Sequence, residues 1–191
     1  LMLVVICGAE LFTGNSLLVK AAFQGEIGWL KLAENWLVVI LGNLIGSLFF
    51  AWLMLHSELW QSGRVAEQAM NLAARKTDLS FSVALIRGIF CNWLVCLAVF
   101  MAVAARSVTG KILACYAPIM AFVTSGFEHS VANMYFIPTG LLLQAELGVP
   151  HAGLTWDNFF IVNLIPVTLG NIIGGALFVA GAYWFVHLKR P

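Results

Sequence analysis

The sequence predicts an all-α membrane protein made of two three-helix units in opposite orientations, each with one broken helix. An apolar composition, long apolar runs and a motif that occurs twice predict this fold. Of the 191 residues, 61% are hydrophobic and 10% are charged, and the mean hydropathy is +0.93. A soluble domain carries about 25% charged residues. The composition therefore excludes a soluble enzyme and a disordered chain, and Lys+Arg 10 against Asp+Glu 9 excludes a nucleic-acid binder.

Three apolar runs are long enough to cross a membrane without interruption, which takes about 20 residues. They are Leu32–Leu55, Phe81–Ala105 and Phe159–His187, and we expect the last, which is the longest, to be tilted or frayed. Five tryptophans near segment ends are expected to be interfacial anchors: Trp29, Trp36, Trp60, Trp156 and Trp184. All four cysteines lie in apolar runs and are interpreted as packing residues: Cys7, Cys91, Cys96 and Cys115.

Two further apolar runs are interrupted by polar residues and glycine. Leu1–Phe23 is interrupted at residues 8–15, and Ile112–Gln144 is interrupted at residues 125–133. Non-helical backbone at membrane depth persists only where protein or a wet cavity supplies hydrogen-bond partners. We therefore interpret each run as one broken span that contributes to an internal site. The alternative is a loop between two short helices on the membrane surface.

The two breaks are copies of each other. The spacing of Gly8, Glu10 and Asn15 recurs in Gly126, Glu128 and Asn133, and the string at residues 41–46 recurs at residues 169–174 as Leu-Gly-Asn-(Leu/Ile)-Ile-Gly. We assign all six residues of the repeated motif to the structure of the breaks.

A complete span precedes the second copy but not the first, so we expect a fragment that lacks the first helix and the start of the second. An odd number of spans per copy inverts the second copy, as in channels and transporters. We expect residues 1–191 to form one transmembrane channel domain. Within it, residues 1–55 are the remainder of repeat 1, residues 56–80 are an extracytoplasmic connector with an amphipathic helix at Arg64–Lys76, and residues 81–191 are repeat 2.

The distribution of Lys and Arg predicts the orientation. Lys20, Lys31, Arg106, Lys111, Lys189 and Arg190 fall on one side, and Arg64, Arg75 and Lys76 fall on the other. Because cytoplasmic loops are enriched in basic residues, we expect a multi-pass protein of the inner (plasma) membrane with a cytoplasmic C-terminus.

Four ionisable side chains lie at membrane depth, where charge is costly and usually functional. Glu10 and Glu128 are expected to cap the N–H groups of the half-helix that follows each break. Arg87 lies near the start of its span, where it either extends to the membrane surface or faces the site.

His129 differs from the others because the first copy has Leu11 at its position. A histidine pKa near 6.5 allows proton exchange at neutral pH, and helix N-termini at the breaks favour small anions. Lys76 at the outer end would add attraction. Bulky apolar residues around the breaks are typical of hydrophobic constrictions: Leu11, Phe12, Val95 and Phe122. These features predict a channel for small anions, whereas the alternative role for His129 is that of a hydrogen-bonded core residue.

Other chemistries have less support. Glu128, His129 and Ser130 are adjacent in sequence, but a hydrolytic triad needs spatial adjacency and a nucleophile motif. One His and one Glu are too few ligands for a metal, so we expect neither an enzyme nor a cofactor. A neutral-solute channel and a non-transporting membrane scaffold remain open as alternatives.

Four strings resemble the formate/nitrite transporter family. They are residues 7–13 (CGAELFT), 31–37 (KLAENWL), 125–134 (SGFEHSVANM) and 163–174 (NLIPVTLGNIIG). The resemblance implies an aquaporin-like fold, six helices per complete protomer and a homopentamer with one pore in each protomer. It implies that His129 is the central pore histidine and that Thr13 hydrogen-bonds toward it, and that Lys76 and Asn171 attract and position the anion. It places Leu1, Leu11, Phe12, Val95 and Phe122 at the two apolar constrictions.

The same resemblance implies how the pore would work. An anion would enter a vestibule and cross near His129 as the neutral acid or with a proton from the histidine, which avoids the cost of desolvating a bare charge. The expected partners are protons, membrane lipid and a small monocarboxylate or nitrite-like anion. The continuation at residues 133–138 (NMYFIP) resembles formate-type members, so formate is favoured, with nitrite or hydrosulfide as the alternative.

Overall fold

The structure, a computed structural model, describes residues 1–61 and 63–188, and helices make up most of these residues. Eight helices precede a long C-terminal one, and a 3₁₀ turn at Ser16–Leu18 joins α2 to α3. They are α1 (Met2–Cys7), α2 (Phe12–Asn15), α3 (Val19–Phe23), α4 (Trp29–His56), α5 (Gly63–Thr77), α6 (Phe81–Ala104), α7 (Val108–Thr124), α8 (Ser130–Leu147) and α9 (Asn158–Leu188).

Three helices in the described ranges are long and apolar enough to span a membrane: α4, α6 and α9. They confirm the three uninterrupted spans, each to within a few residues. α9 is α-helical at Ile165–Ile172 and has the wider π-helical turns at Asn158–Leu164, Ile173–Gly181 and Trp184–Leu188. Its extra length is therefore accommodated within a continuous helix.

The two broken helices are also present. The chain leaves helical geometry between α1 and α2 and again between α7 and α8. Gly8 and Gly126, which are equivalent in the two copies, have φ angles of 76° and 70°. This left-handed conformation is costly for residues with a Cβ, so glycine at these points allows the chain to turn out of the helix.

The second repeat packs through close contact between α6 and α9. A Cβ added at Gly170 would overlap the carbonyl oxygen of Leu85, and one added at Gly174 would overlap that of Ile89. The two backbones therefore lie in direct contact. A separate core joins α5 and α8 to the start of α9: Ala73, Met134, Ile137, Leu141, Leu154 and Phe159.

The amphipathic helix predicted in the connector is α5, which turns Ala66, Met70 and Ala73 toward the protein. Of the cysteines, Cys91, Cys96 and Cys115 are buried, as expected, but Cys7 is exposed. The prediction for Cys7 was wrong because it ends a helix of six residues that packs along only part of its surface. Lys189 and Arg190, which contribute to the orientation argument, lie outside the described residues.

Candidate functional site

His129 and Thr13 join the two helix breaks. The His129 Nε2 atom lies 3.0 Å from the Thr13 hydroxyl oxygen, across 116 residues of sequence. Thr13 is fully buried and His129 is 8% exposed. The first turn of α2 and the residue before α8 therefore meet inside the protein. The other ring nitrogen, Nδ1, accepts a hydrogen bond of 3.1 Å from the Ala132 amide and caps the N-terminus of α8.

An apolar cluster lies beside this pair. The Phe122 ring stacks on the His129 ring, with centroids 5.8 Å apart and planes 19° apart. Phe122 packs in turn with Cys91 and Val95 of α6 and with Leu1. Three of the five residues assigned to the constrictions are therefore together next to the imidazole.

The other two residues assigned to the constrictions lie at the first break. Phe12 is buried and packs edge-on against Trp36 of α4, with centroids 6.0 Å apart. Leu11 is half-buried and precedes α2. Trp36 also donates a hydrogen bond to the Asn15 carbonyl, so its indole packs against the first break.

The hydrogen bonds that hold the first break form one half of a duplicated network. Glu10 accepts a hydrogen bond from the Asn15 side chain at 2.5 Å, and Asn15 donates to Asn35 at 2.9 Å. Asn43 of α4 accepts from the Phe12 amide and donates to the Glu10 carbonyl. Two helical segments and the break between them are thus tied together by side-chain amides.

The second break repeats this network with equivalent residues. Glu128 accepts from Asn133 at 2.6 Å, and Asn133 donates to Asn163 at 2.8 Å. Asn171 of α9 accepts from the Ser130 amide at 2.9 Å and donates to the Glu128 carbonyl at 3.0 Å. The internal duplication therefore extends from the sequence to individual hydrogen bonds.

The expected capping role of Glu10 and Glu128 was wrong. Their carboxylates accept hydrogen bonds from asparagine side chains five residues further along, while the His129 side chain caps α8. The reason is geometric, because the break lets each carboxylate reach an amide on the second turn of the following helix.

Lys76 distinguishes the second break from the first. Its ammonium group lies 2.9 Å and 3.0 Å from the two carboxylate oxygens of Glu128, and the side chains of Lys76 and Glu128 are 13% and 4% exposed. The Lys76 carbonyl also accepts from Asn163. Glu10, by contrast, is exposed. Lys76 therefore balances the charge of Glu128 and fixes the end of α5 to the break.

Asn171 is fully buried, and its side chain bonds to three backbone groups: Ser130 N–H, Glu128 C=O and Gly88 C=O. These bonds tie the start of α8 to α6 and α9. Arg87, on α6, also contributes a backbone group, because its carbonyl accepts from the Glu128 amide at 3.3 Å.

Sequence reasoning missed Asn92. This fully buried residue of α6 donates to the Thr13 carbonyl at 3.0 Å and to the Asn171 carbonyl at 2.6 Å, so it joins the two repeats directly behind the Thr13–His129 pair. No repeated motif marks Asn92. Asn35 and Asn163 were also missed, although the 128-residue offset between the Leu-Gly-Asn strings relates one to the other.

No group of three or more His, Cys, Asp or Glu side chains is arranged to hold a metal within residues 1–61 and 63–188. The arrangement offers hydrogen bonding by the Thr13 hydroxyl and the His129 imidazole, within an apolar surround.

Comparisons with known proteins extend over nearly the whole chain. The family model described as "Formate/nitrite transporter" matches residues 1–185. The chain is 44% identical over 206 residues to "Probable formate transporter" of Methanothermobacter thermautotrophicus, a match that covers 100% of this chain and 72% of the relative. It is 42% identical over 203 residues to "Formate channel FocA" of Escherichia coli (strain K12), which covers 100% and 71%.

Solved structures give the same result. The chain superposes with a TM-score of 0.88 and 41% identity on "Pentameric formate channel with formate bound", over 98% of this chain and 79% of that one. It superposes with a TM-score of 0.87 and 34% identity on "FNT family ion channel", over 99% and 72%.

Proposed function

The chain belongs to the formate/nitrite transporter family, and on this premise we propose that it forms a pore for small monovalent anions, formate first among them. It is an integral membrane protein of a channel and transporter family, not an enzyme. Formate is favoured because it is the anion named for the relatives described above. Nitrite and hydrosulfide are the alternative substrates.

The observation that carries the proposal is the 3.0 Å contact between Thr13 and His129. It brings a titratable ring and a hydroxyl group from two different helix breaks to one point, at the depth where broken helices of transporters place their binding sites. A pair built only for packing would not need two side chains that both form hydrogen bonds in the interior.

The apolar surround determines the form in which the anion crosses. A bare carboxylate would have to shed its water among Leu1, Val95 and Phe122, and desolvation of an unpaired charge is very costly. Protonation removes that cost. We therefore propose that the anion exchanges a proton at His129 and crosses the narrowest part as the neutral acid, with Leu11 and Phe12 lining the path on the side of the first break.

We assign Lys76 and Asn171 to positioning the anion through the second break. Glu128 offsets the Lys76 charge, so long-range attraction by this lysine is weak, but the pair fixes residues 128–130 against α5. Asn171 fixes the same segment against α6 and α9. The glycines, glutamates and asparagines of the repeated motif maintain the two breaks.

The proposed assembly is a homopentamer in the inner (plasma) membrane, with one pore in each protomer and lipid around it. The similar solved structure is a pentameric formate channel, which supports the number of subunits. The Lys and Arg distribution supports a cytoplasmic C-terminus. Residues 1–191 form one channel domain, in which residues 1–55 belong to repeat 1, residues 56–80 connect the repeats outside the cytoplasm and residues 81–191 are repeat 2.

Stopped-flow measurement of formate and nitrite uptake into proteoliposomes tests the proposal. We expect anion flux with the unmodified chain and a loss of at least about tenfold in His129→Ala, a threshold set below the roughly 100-fold at which general acid–base contributions begin. His56→Ala is the matched control, because His56 is exposed at the end of α4. Equal flux in all three proteins would refute the role of His129, and absence of flux from every protein would favour a scaffold.

A further inference from the structure

The two nitrogens of the His129 ring have hydrogen-bond partners of different kinds, a backbone amide and a hydroxyl group. Nδ1 accepts from the Ala132 amide at 3.1 Å, and Nε2 faces the Thr13 hydroxyl at 3.0 Å. A backbone N–H is always a donor, whereas a hydroxyl both donates and accepts. Nδ1 must therefore keep its lone pair while the bond to Ala132 persists, and the proton of the neutral ring is on Nε2.

We propose that the Ala132 amide fixes His129 as the Nε2–H tautomer, and that the ring takes up a second proton only when this cap on α8 opens. The inference deepens the proposed function, on which it rests, because it says how proton exchange at the same site is controlled. In the capped state, Nε2–H donates to the Thr13 oxygen, and the hydroxyl proton of Thr13 is the one presented to an anion.

While the ring is capped, the Thr13 hydroxyl holds the anion by a hydrogen bond and no proton is transferred, since loss of the Nε2 proton would leave an imidazolate. Transfer requires a proton from water at Nδ1, which breaks the bond to Ala132. The Nε2 proton then passes to Thr13 as the Thr13 hydroxyl proton passes to the anion. The ring is left neutral with its proton on Nδ1, and it regains the capped tautomer by proton exchange with water.

The other amides at the start of α8 have acceptors of their own. The Ser130 amide donates to Asn171, and the Asn133 amide donates to the His129 carbonyl at 2.9 Å. Opening the Nδ1 contact therefore releases the Ala132 amide without disturbing these two bonds. A local opening of this kind can occur while α8 remains in place.

The charged groups around the ring are paired with each other, and its other neighbours on α2, α7 and α9 are uncharged. Phe122 of α7 stacks on one face of the imidazole and restricts its rotation. α2 contributes the uncharged Thr13, and α9 contributes the uncharged Asn171. The charged side chains next to the ring, Glu128 and Lys76 of α5, are paired with each other. A further titratable group nearby is the Cys91 thiol of α6, in the cluster that includes Phe122.

The tautomer is measured by ¹⁵N NMR on the full chain in lipid bilayers with ¹⁵N-labelled histidine, and His129 is assigned by the signal missing from His129→Asn. At neutral pH we expect Nε2 to carry the proton and Nδ1 to be bare. As the pH falls, we expect the doubly protonated ring to form together with faster exchange of the Ala132 amide, relative to the Asn133 amide as internal reference. A proton on Nδ1 at neutral pH, or double protonation without faster exchange at Ala132, would overturn the inference.

Two variants test the roles of the two ring nitrogens one at a time. In His129→Asn the side-chain oxygen can replace Nδ1 as acceptor, and in His129→Gln the amide can replace Nε2 as donor to Thr13. We expect Ala132 protection close to wild type in the Asn variant and about fivefold faster exchange in the Gln variant, which corresponds to the loss of an average N-cap. Equal exchange in the two variants would refute the cap. Neither measurement requires anion flux, so failure of the proposed function would be visible separately.

Discussion

Removal of the Lys76 ammonium group should destabilise the protein far more than neutralisation of Glu10. Lys76→Met leaves the Glu128 carboxylate, which is 4% exposed, without its counter-ion. Breaking a buried pair from one side costs about 3–5 kcal/mol. The amide donors of Asn133 and Asn163 remain on Glu128, so we expect the lower end, about 3 kcal/mol. For a chain of this size such a loss lowers Tm by about 6–12 °C.

Glu10→Gln is the matched control because Glu10 has the same motif position and the same asparagine contact as Glu128. The glutamine oxygen can still accept from Asn15, and Glu10 is exposed, so we expect a loss below about 1 kcal/mol. Thermal unfolding in lipid nanodiscs measures both variants, and the double variant Lys76→Met with Glu128→Gln should recover at least half of the loss. Equal Tm values for Lys76→Met and Glu10→Gln would refute the argument that the pair is structural.

Three further changes test other parts of the site. Asn92→Ala leaves the Thr13 and Asn171 carbonyls without their donor, and we expect the free energy of unfolding to fall by about 2–4 kcal/mol. An unchanged Tm would show that Asn92 does not hold the two repeats together. Gly170→Ala places a methyl group on the Leu85 carbonyl and should cost about 1–3 kcal/mol by the same measurement, and a neutral effect would show that α6 and α9 separate easily. Phe122→Ala removes the ring stacked on His129, so flux of larger monocarboxylates should rise relative to formate, and an unchanged ratio in proteoliposomes would show that Phe122 lines no constriction.

The sequence predicted the spans and the breaks because membrane depth imposes strong constraints on the chain. A run such as Phe81–Ala105 can only be a helix in lipid, and a glycine with an adjacent polar stretch is the signature of leaving one. The duplication could be predicted because the motif around Glu10 recurs around Glu128. The positive φ angles of Gly8 and Gly126 agree with it.

The contacts across the site were harder to predict because they depend on distances in three dimensions. Lys76 and Glu128 are 52 residues apart, and nothing in either local pattern marks them as partners. Asn92 lies on the apolar span α6, and no repeated motif marks it. The cap at Ala132 depends on the orientation of one ring, which the identity of His129 does not determine.

A structure of the intact assembly in lipid, determined with a saturating concentration of formate, would show whether the anion binds at Thr13 and His129. We expect a bound anion within hydrogen-bonding distance of the Thr13 hydroxyl, next to the His129 ring and beneath Phe122. An anion bound elsewhere, or an imidazole that faces lipid and has no contact with Thr13, would contradict it.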